Sequence, residues 1–454
     1  MILSDSSQHG FHRSPSRPVT TAIAFLAASI LGIGSAHGQT LLSETTWGGP
    51  DSEVTEGVAL GPDGGALVAG NTRSFVTNHG SIFLLKFAPD GTTLEWQRVW
   101  EAPNVFVDDT AADVAVGLDG SAYVAGRTLG VRGDALLLKF DATGALVWQR
   151  TWGRDANSSE NAEAVATAAD GSVYLVGGTT NPDTGAFSLL VLKFAGDGTL
   201  VWGKTWDGAG GEPGVAVSPD GFVYVVGTVA RPNTSFQFDM LVLKIAPADG
   251  SVVWQRTYAA GDIVDARGGV AVALDGSVYV AGGLQQPEHG FVDLDAVLVK
   301  LAPDGSLLWD RTWGGGSGDS PAGVAVAPDG SVYLVGQTNS FAVGSDDAFV
   351  VRFLPSGKTV EALTWGGADL DGAAGVAVAA DGTVVLGATA NIPPYSLLGA
   401  PRKVSRPRGA LSVPVGSLVD VAGTVSDPGG SVSVPNGTTT YAGSFDAALV
   451  RITP

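Results

Sequence analysis

The chain contains no cysteine. That absence excludes disulfides, thiolate metal sites, a cysteine nucleophile and a lipid-modified cysteine, so packing alone has to hold the fold. Long apolar runs are missing too: no stretch of 18 apolar residues occurs, and no segment reads as a membrane-spanning helix. Histidine is scarce. Beyond the first 38 residues only His79 and His289 remain, each alone in a loop and expected to be solvated, which leaves no histidine-rich metal site and no Ser-His-Asp triad using both. Basic residues are outnumbered, with 25 Lys and Arg against 45 Asp and Glu and a formal net charge of −20. Such a surface repels nucleic acid and anionic lipid, so neither is an expected partner.

What the chain has is glycine, 65 residues of it, and a repeat. Asp-Gly pairs stand at Asp63-Gly64, Asp119-Gly120, Asp170-Gly171, Asp220-Gly221, Asp275-Gly276, Asp329-Gly330 and Asp381-Gly382, spaced by 50 to 56 residues. A period of that size marks a propeller, solenoid or array. In each copy a strand of small residues precedes the pair, and a Val-rich strand follows it. A third strand then ends on a cation and an apolar residue (Lys86, Lys139, Lys193, Lys244, Lys300, Arg352, Arg451), and a fourth carries Trp. The seventh copy stops at 447-AALVRITP-454 without its Trp strand, whereas 41-LLSETTW-47 stands unclaimed before the first. The expected fold is therefore all-β: a seven-bladed β-propeller over residues 39–454, closed by an N-terminal strand that completes the last blade, and expected to be a monomer.

The Trp residues recur four apart, as at Trp96 and Trp100 or Trp148 and Trp152, with Arg98 or Arg150 between them. A sugar-stacking ladder is one reading. Inter-blade packing with a cation over an indole is the one expected, because binding sites rarely repeat with the frame of a fold. Residues 1–38 read as a secretory signal: Arg13 and Arg17 precede an apolar stretch over 22–33, with small residues before Gln39. The mature protein is expected outside the cytoplasm, as an extracellular, cell-surface or periplasmic chain.

The stretches 169-ADGSVYLVGGTT-180 and 327-APDGSVYLVGQTNS-340, the latter followed by 346-DDAFVVRF-353, resemble the bacterial seven-bladed β-propeller repeat family, often called SBBP repeats. The resemblance implies a fold and an extracellular or cell-surface setting, and no chemistry. The motif 141-DATGALVW-148 also looks like the Trp-docking repeat of pyrroloquinoline-quinone enzymes, though the vicinal Cys pair of that family is absent.

Carboxylates gather where one copy passes to the next: Asp51, Glu53 and Glu56; Asp108, Asp109 and Asp113; Asp155, Glu160 and Glu163; Asp262 and Asp265; Asp369 and Asp371. Strand alternation puts these segments at one end of the ring, together with the irregular loops between second and third strands, and the Asp-Gly turns at the other. The acidic end is the candidate recognition surface, carried by Asp51, Glu53, Asp108, Asp109, Asp155, Glu160, Asp262, Asp265, Asp369 and Asp371. Oxygen ligands of this kind suit Ca²⁺, but no calcium-loop motif is present, and no cofactor or catalytic residue is assigned. The symmetry breaks in the seventh copy, where an insertion at about 391–444 contains Arg402, Lys403, Arg406 and Arg408, the dense basic cluster of an acidic chain. Those cations are expected to fold back over the acidic end as a lid or a recognition element, and 417–425 to pair with 431–434 as a hairpin. The functional expectation is a non-catalytic interaction module for a protein or a glycan. The alternative is a carboxylate-dependent polysaccharide hydrolase or lyase, since paired carboxylates serve glycoside chemistry where a fold sets their separation.

Overall fold

A computed structural model of the protein describes residues 38–454 except 76–78, 104–107, 129–132, 156, 181–184, 232–236, 261–262, 268, 286–293, 392–394, 401–403, 406–409, 413–418, 421–423, 427–430 and 434–444. Seven four-stranded antiparallel blades stand around one axis. The second blade runs from its inner strand Thr110–Val116 through Ala122–Thr128 and Asp134–Phe140 to its outer strand Leu146–Gly153. Second and third strands are apolar nearly throughout, as in Leu189, Leu190, Val191 and Leu192, because each blade lies between two neighbours and buries both faces. Inner strands are small because they crowd the axis. A Cβ on Gly214 would come within 2.7 Å of the Gly269 Cα in the next blade.

The seventh blade combines both ends of the chain. Its strands lie in the order Gly372–Val378, Val384–Ala390, Asp446–Ile452 and Leu41–Trp47, with Trp47 opposite Ala447. The outer strands are also tied to one another by side chains. Trp47 Nε1 donates to Gln97 Oε1 at 2.7 Å, Trp100 Nε1 to Gln149 Oε1 at 2.8 Å, Tyr258 Oη to Asp310 Oδ2 at 2.9 Å and Trp365 Nε1 to Glu44 Oε2 at 3.2 Å. Leu41–Trp47 thus accepts from the sixth blade through Glu44 and donates to the first through Trp47.

The two Trp positions of each outer strand differ in environment. Trp100, Trp152, Trp206, Trp313 and Trp365 are fully buried. Trp148 is half-buried, with its Nε1 on Gly196 O of the next blade at 3.2 Å and the Arg150 guanidinium 5.6 Å from its ring centre. Arg98, Arg150, Arg256 and Arg311 each donate to a glycine carbonyl in the turn of the following blade, at 2.7–3.2 Å. Packing with a cation over an indole is what the structure shows.

The insertion differs from expectation. Its short strands join the outer edges of six blades in reverse order around the ring, all antiparallel. Ser396–Gly399 pairs with the outer strand of the sixth blade, Val404–Ser405 with the fifth, Ala410–Ser412 with the fourth, Val419–Asp420 with the third, Thr424–Ser426 with the second and Ser431–Ser433 with the first. Among the described residues, Val419–Asp420 and Thr424–Ser426 do not pair with Ser431–Ser433 as a hairpin, each finding a different open sheet edge instead. Arg402, Lys403, Arg406 and Arg408 lie outside the described residues, but the strands on either side of them run along the rim rather than over the acidic end. The fourth and fifth blades depart from the pattern as well. Ile263–Asp265 pairs in parallel with the third strand of the fourth blade and antiparallel with the second strand of the fifth, joining the two blades.

Candidate functional site

The acids of the expected recognition surface divide in two. Glu53, Asp109, Glu160 and Asp371 are buried at the start of an inner strand and serve the fold. Glu53 accepts from Thr72 Oγ1 at 2.8 Å and Gly49 N at 2.9 Å, Asp109 from Ala102 N at 2.7 Å, Glu160 from Thr179 Oγ1 at 2.8 Å, and Asp371 from Gly367 N at 2.6 Å and Asn391 N at 2.8 Å. Each carboxylate staples the preceding inter-blade turn to its blade, and Asp319, which sequence reasoning omitted, does the same through Gly315 N at 2.8 Å. Burial raises the Glu160 and Asp371 carboxyls.

The remaining acids lie nearer the surface and hold local turns. Asp108 pairs with Arg73 at 2.9 Å, Asp155 accepts from Asn157 N at 2.7 Å, Asp369 from Leu370 N at 3.1 Å, and Asp51 is exposed. Asp265 binds Arg267 Nε at 2.7 Å and Gly283 N at 2.9 Å, while Asp262 lies outside the described residues. Of the two histidines, His289 is outside the described residues. His79 is a correction: it is buried, with Nε2 3.4 Å from Glu101 Oε2, because its loop packs onto the first blade.

A different set of polar residues converges on the axis. The inner strands of all seven blades line a cavity of about 770 Å³, into which reach Glu56, Asp113, Glu163, Glu212 and Arg127. Three of these acids, Glu56, Asp113 and Glu163, belong to inter-copy groups already marked in the sequence, but the inner strand carries them to the axis. At the position filled by Gly57, Gly214, Gly269, Gly323 and Gly375 in five blades, the second blade has Asp113. Its Oδ1 accepts from Val114 N at 2.8 Å and its Oδ2 from Val165 N of the third blade at 2.9 Å.

Burial pushes the Asp113 carboxyl up to about 7 against those two backbone hydrogen bonds. Glu56 is likewise pushed to about 7, by burial first and then by Glu163 and Glu212, while the amide of Asn71, donating to its Oε1 at 2.8 Å, pulls the other way. Glu163 reaches about 7 through burial and the charge of Glu212, opposed by Arg127. Asn161 Nδ2 donates to Glu163 Oε1, and Arg127 Nη2 to Ser159 Oγ at 3.0 Å. The wall formed by the first four blades is thus acidic, and the opposite wall presents Ser320, Pro321, Ala322, Ala373 and Ala374. No aromatic ring lines the cavity among the described residues. Among those residues no group of three or more His, Asp or Glu is placed to hold a metal ion. Arg127, Asn71, Asn161 and Glu212 were missed in the sequence; the signal available was each blade's departure from the small-residue pattern of the inner strand.

No family model matches the chain. The Regulatory protein FlaEY of Caulobacter vibrioides is 29% identical over 164 residues, which is 31% of this chain and only 17% of that protein's length. Among solved structures, a protein of unknown function from Dyadobacter fermentans is 10% identical with a TM-score of 0.44, covering 92% of this chain and 99% of that one. Puromycin hydrolase is 15% identical with a TM-score of 0.40, covering 76% and 51%. The K499G mutant of NanB sialidase from Streptococcus pneumoniae is 10% identical with a TM-score of 0.37, covering 82% and 68%. No chemistry passes to this chain from likenesses so distant.

Proposed function

We propose that the chain is a non-catalytic binding propeller working outside the cytoplasm, in the setting its SBBP-like repeats and its N-terminal segment suggest, and that its ligand presents a cationic group to the axial cavity. The observation carrying this reading is the lining: four carboxylates beside one guanidinium, in a cavity about the size of a small-molecule site. Burial strengthens electrostatic attraction there relative to the surface. Among the described residues the lining offers no aromatic platform for stacking a sugar, which weighs against a glycan. A cation has to displace protons from carboxyls held near 7, so its affinity rises as pH goes from 6 to 8.

Calorimetric titration of the mature chain with putrescine tests the reading, with Ca²⁺ and a neutral oligosaccharide as comparators. Putrescine should bind more tightly at pH 8 than at pH 6 and lose about ten-fold in affinity in Glu163→Gln. Binding of the oligosaccharide alone, indifferent to Glu163, would sink it. The enzyme reading keeps one supporting observation, since a carboxyl that holds its proton to about pH 7 is suited to general acid work. It requires release of reducing sugar, or of unsaturated product, from polysaccharide and loss of that release in Glu163→Gln.

A further inference from the structure

Five blades begin their inner strand with an acid turned into the fold: Glu53, Asp109, Glu160, Asp319 and Asp371. In the fourth blade that place is taken by Ala209, opposite Val229, and in the fifth by Val264, opposite Leu284. Among the described residues, no acid holds that register position in these two adjacent blades. In its stead the fourth blade has the run Gly208, Ala209, Gly210, Gly211, with Gly208 and Gly211 at φ of 76° and 85°. A cavity of about 530 Å³ opens there, between the third, fourth and fifth blades.

Its walls are apolar at one end and charged at the other. Phe187, 43% exposed, is the one aromatic residue among those described that is more than a third exposed. Its ring lies over bare backbone, since a Cβ on Gly178 would meet it at 2.0 Å and one on Gly210 at 2.3 Å. Phe238, Ala209 and Ala230 complete the apolar side. At the other end Arg267 is held by Asp265 at 2.7 Å and stands 4.0 Å from Glu212. The Thr228 hydroxyl oxygen accepts from Ala266 N at 3.0 Å. Glu212 lines this cavity and the axial one alike, so the two share a carboxylate wall.

We propose that the two cavities form one composite site for an amphipathic organic cation, an arylalkyl amine, whose ammonium group lies at the Glu163–Glu212 side of the axial cavity and whose aromatic group packs on Phe187. The proposal rests on the cationic-ligand reading above and adds the apolar arm. The charge balance favours an amine over an acid: Asp265 already neutralises Arg267, leaving Glu212 as excess charge on the shared wall. An exposed phenyl ring beside small residues offers a partner ring an apolar surface and an edge or offset face, the geometry aromatic pairs prefer.

Ligand-observed NMR titration of the mature chain at pH 8 with three probes separates the two readings: ethylamine, 2-phenylethylamine and 2-phenylethanol. The expected result is that 2-phenylethylamine binds about ten-fold or more tighter than ethylamine, as burial of a phenyl group implies. 2-Phenylethanol should bind detectably. Phe187→Ala should erase the advantage of the aryl amine and the binding of the alcohol, leave ethylamine unchanged, and melt near the parent because the residue is exposed. Equal affinity for the two amines with no binding of the alcohol removes the side cavity and leaves the axial reading standing. Binding of the alcohol as tight as that of the aryl amine removes the ammonium contact, and the axial reading with it. If none of the three binds, both fall.

Discussion

At the rim one arrangement recurs around the ring, with a buried aromatic near the end of the outer strand and an Arg reaching the turn of the following blade in several blades. At the axis the corresponding positions change from blade to blade. The ring of inner-strand glycines is interrupted by Asp113 and Ala164, and just before it Glu56 and Glu163 stand where other blades have Ala112, Ala322 and Ala374. The contrast has a physical cause. A rim side chain touches the next blade, so any change at one copy has to be matched by its neighbour, and a closed ring has no loose end to absorb a mismatch. A side chain facing the axis meets open space and can vary singly. Regularity here marks residues that hold the fold, and departure marks residues free to meet a ligand.

The largest effect should come from removing the strand that ties the ends of the ring. Deleting residues 39–50 strips Asp446–Ile452 of its outer partner, removes the acceptor of Trp365 and removes the donor to Gln97. The melting temperature should fall by about 10 °C or more, with association through the exposed edge. Replacing 396–433 by a Gly-Ser linker of equal length should cost less, since it leaves every blade its four strands and removes no aromatic side chain, its six pairings being edge additions of two to four residues each. Calorimetry and light scattering on both variants check the order. A larger loss from the linker variant would mean that the insertion, and not the N-terminal strand, holds the ring.

Within the rim the two Trp positions should separate. Trp152→Ala empties a fully buried site and should cost about 3–5 kcal/mol, whereas Trp148→Ala removes a half-buried ring and should cost about 1–2 kcal/mol. Neither should alter amine affinity. Denaturant titration gives the stabilities, and the reverse ranking would refute the assignment of the inner member of each pair to the core.

The seven blades were legible because Asp-Gly turns and small inner strands obey local rules that do not depend on the partner strand. The path of the insertion was less legible, yet its period was present: Leu397, Val404, Leu411, Leu418, Val425 and Val432 stand seven apart. Five of them are the register partners of Trp365, Trp313, Tyr258, Trp152 and Trp100 in the new pairings. One step per blade is what that spacing encodes, and the Pro and Gly residues between the strands concealed it by suggesting a loop. The acids resisted reading for another reason. Glu53 and Glu56 are three residues apart, but one is buried as a staple and the other, at the bulge between Thr55 and Gly57, lines the axial cavity.

The smallest effect, and the one most specific to the axis, concerns pH. Glu56, Asp113 and Glu163 hold their protons to about 7 in the folded chain, against reference values of 4.5, 3.8 and 4.5. Between those values and 7 the native state binds more protons than the unfolded state, so these groups make stability fall as pH rises from about 4 to 7 and change nothing further above it. Rim groups such as Trp152 carry no such dependence. Glu163→Gln keeps the amide in place of a carboxylate that is costly to ionise there, so it should melt with the parent at pH 4 and a few degrees above it at pH 8. Trp152→Ala should melt below the parent by the same margin at both. Scanning calorimetry of the three proteins at pH 4, 6 and 8 decides the matter, and a Glu163→Gln variant less stable than the parent at pH 8 would show that this carboxylate, too, serves the fold and not a ligand.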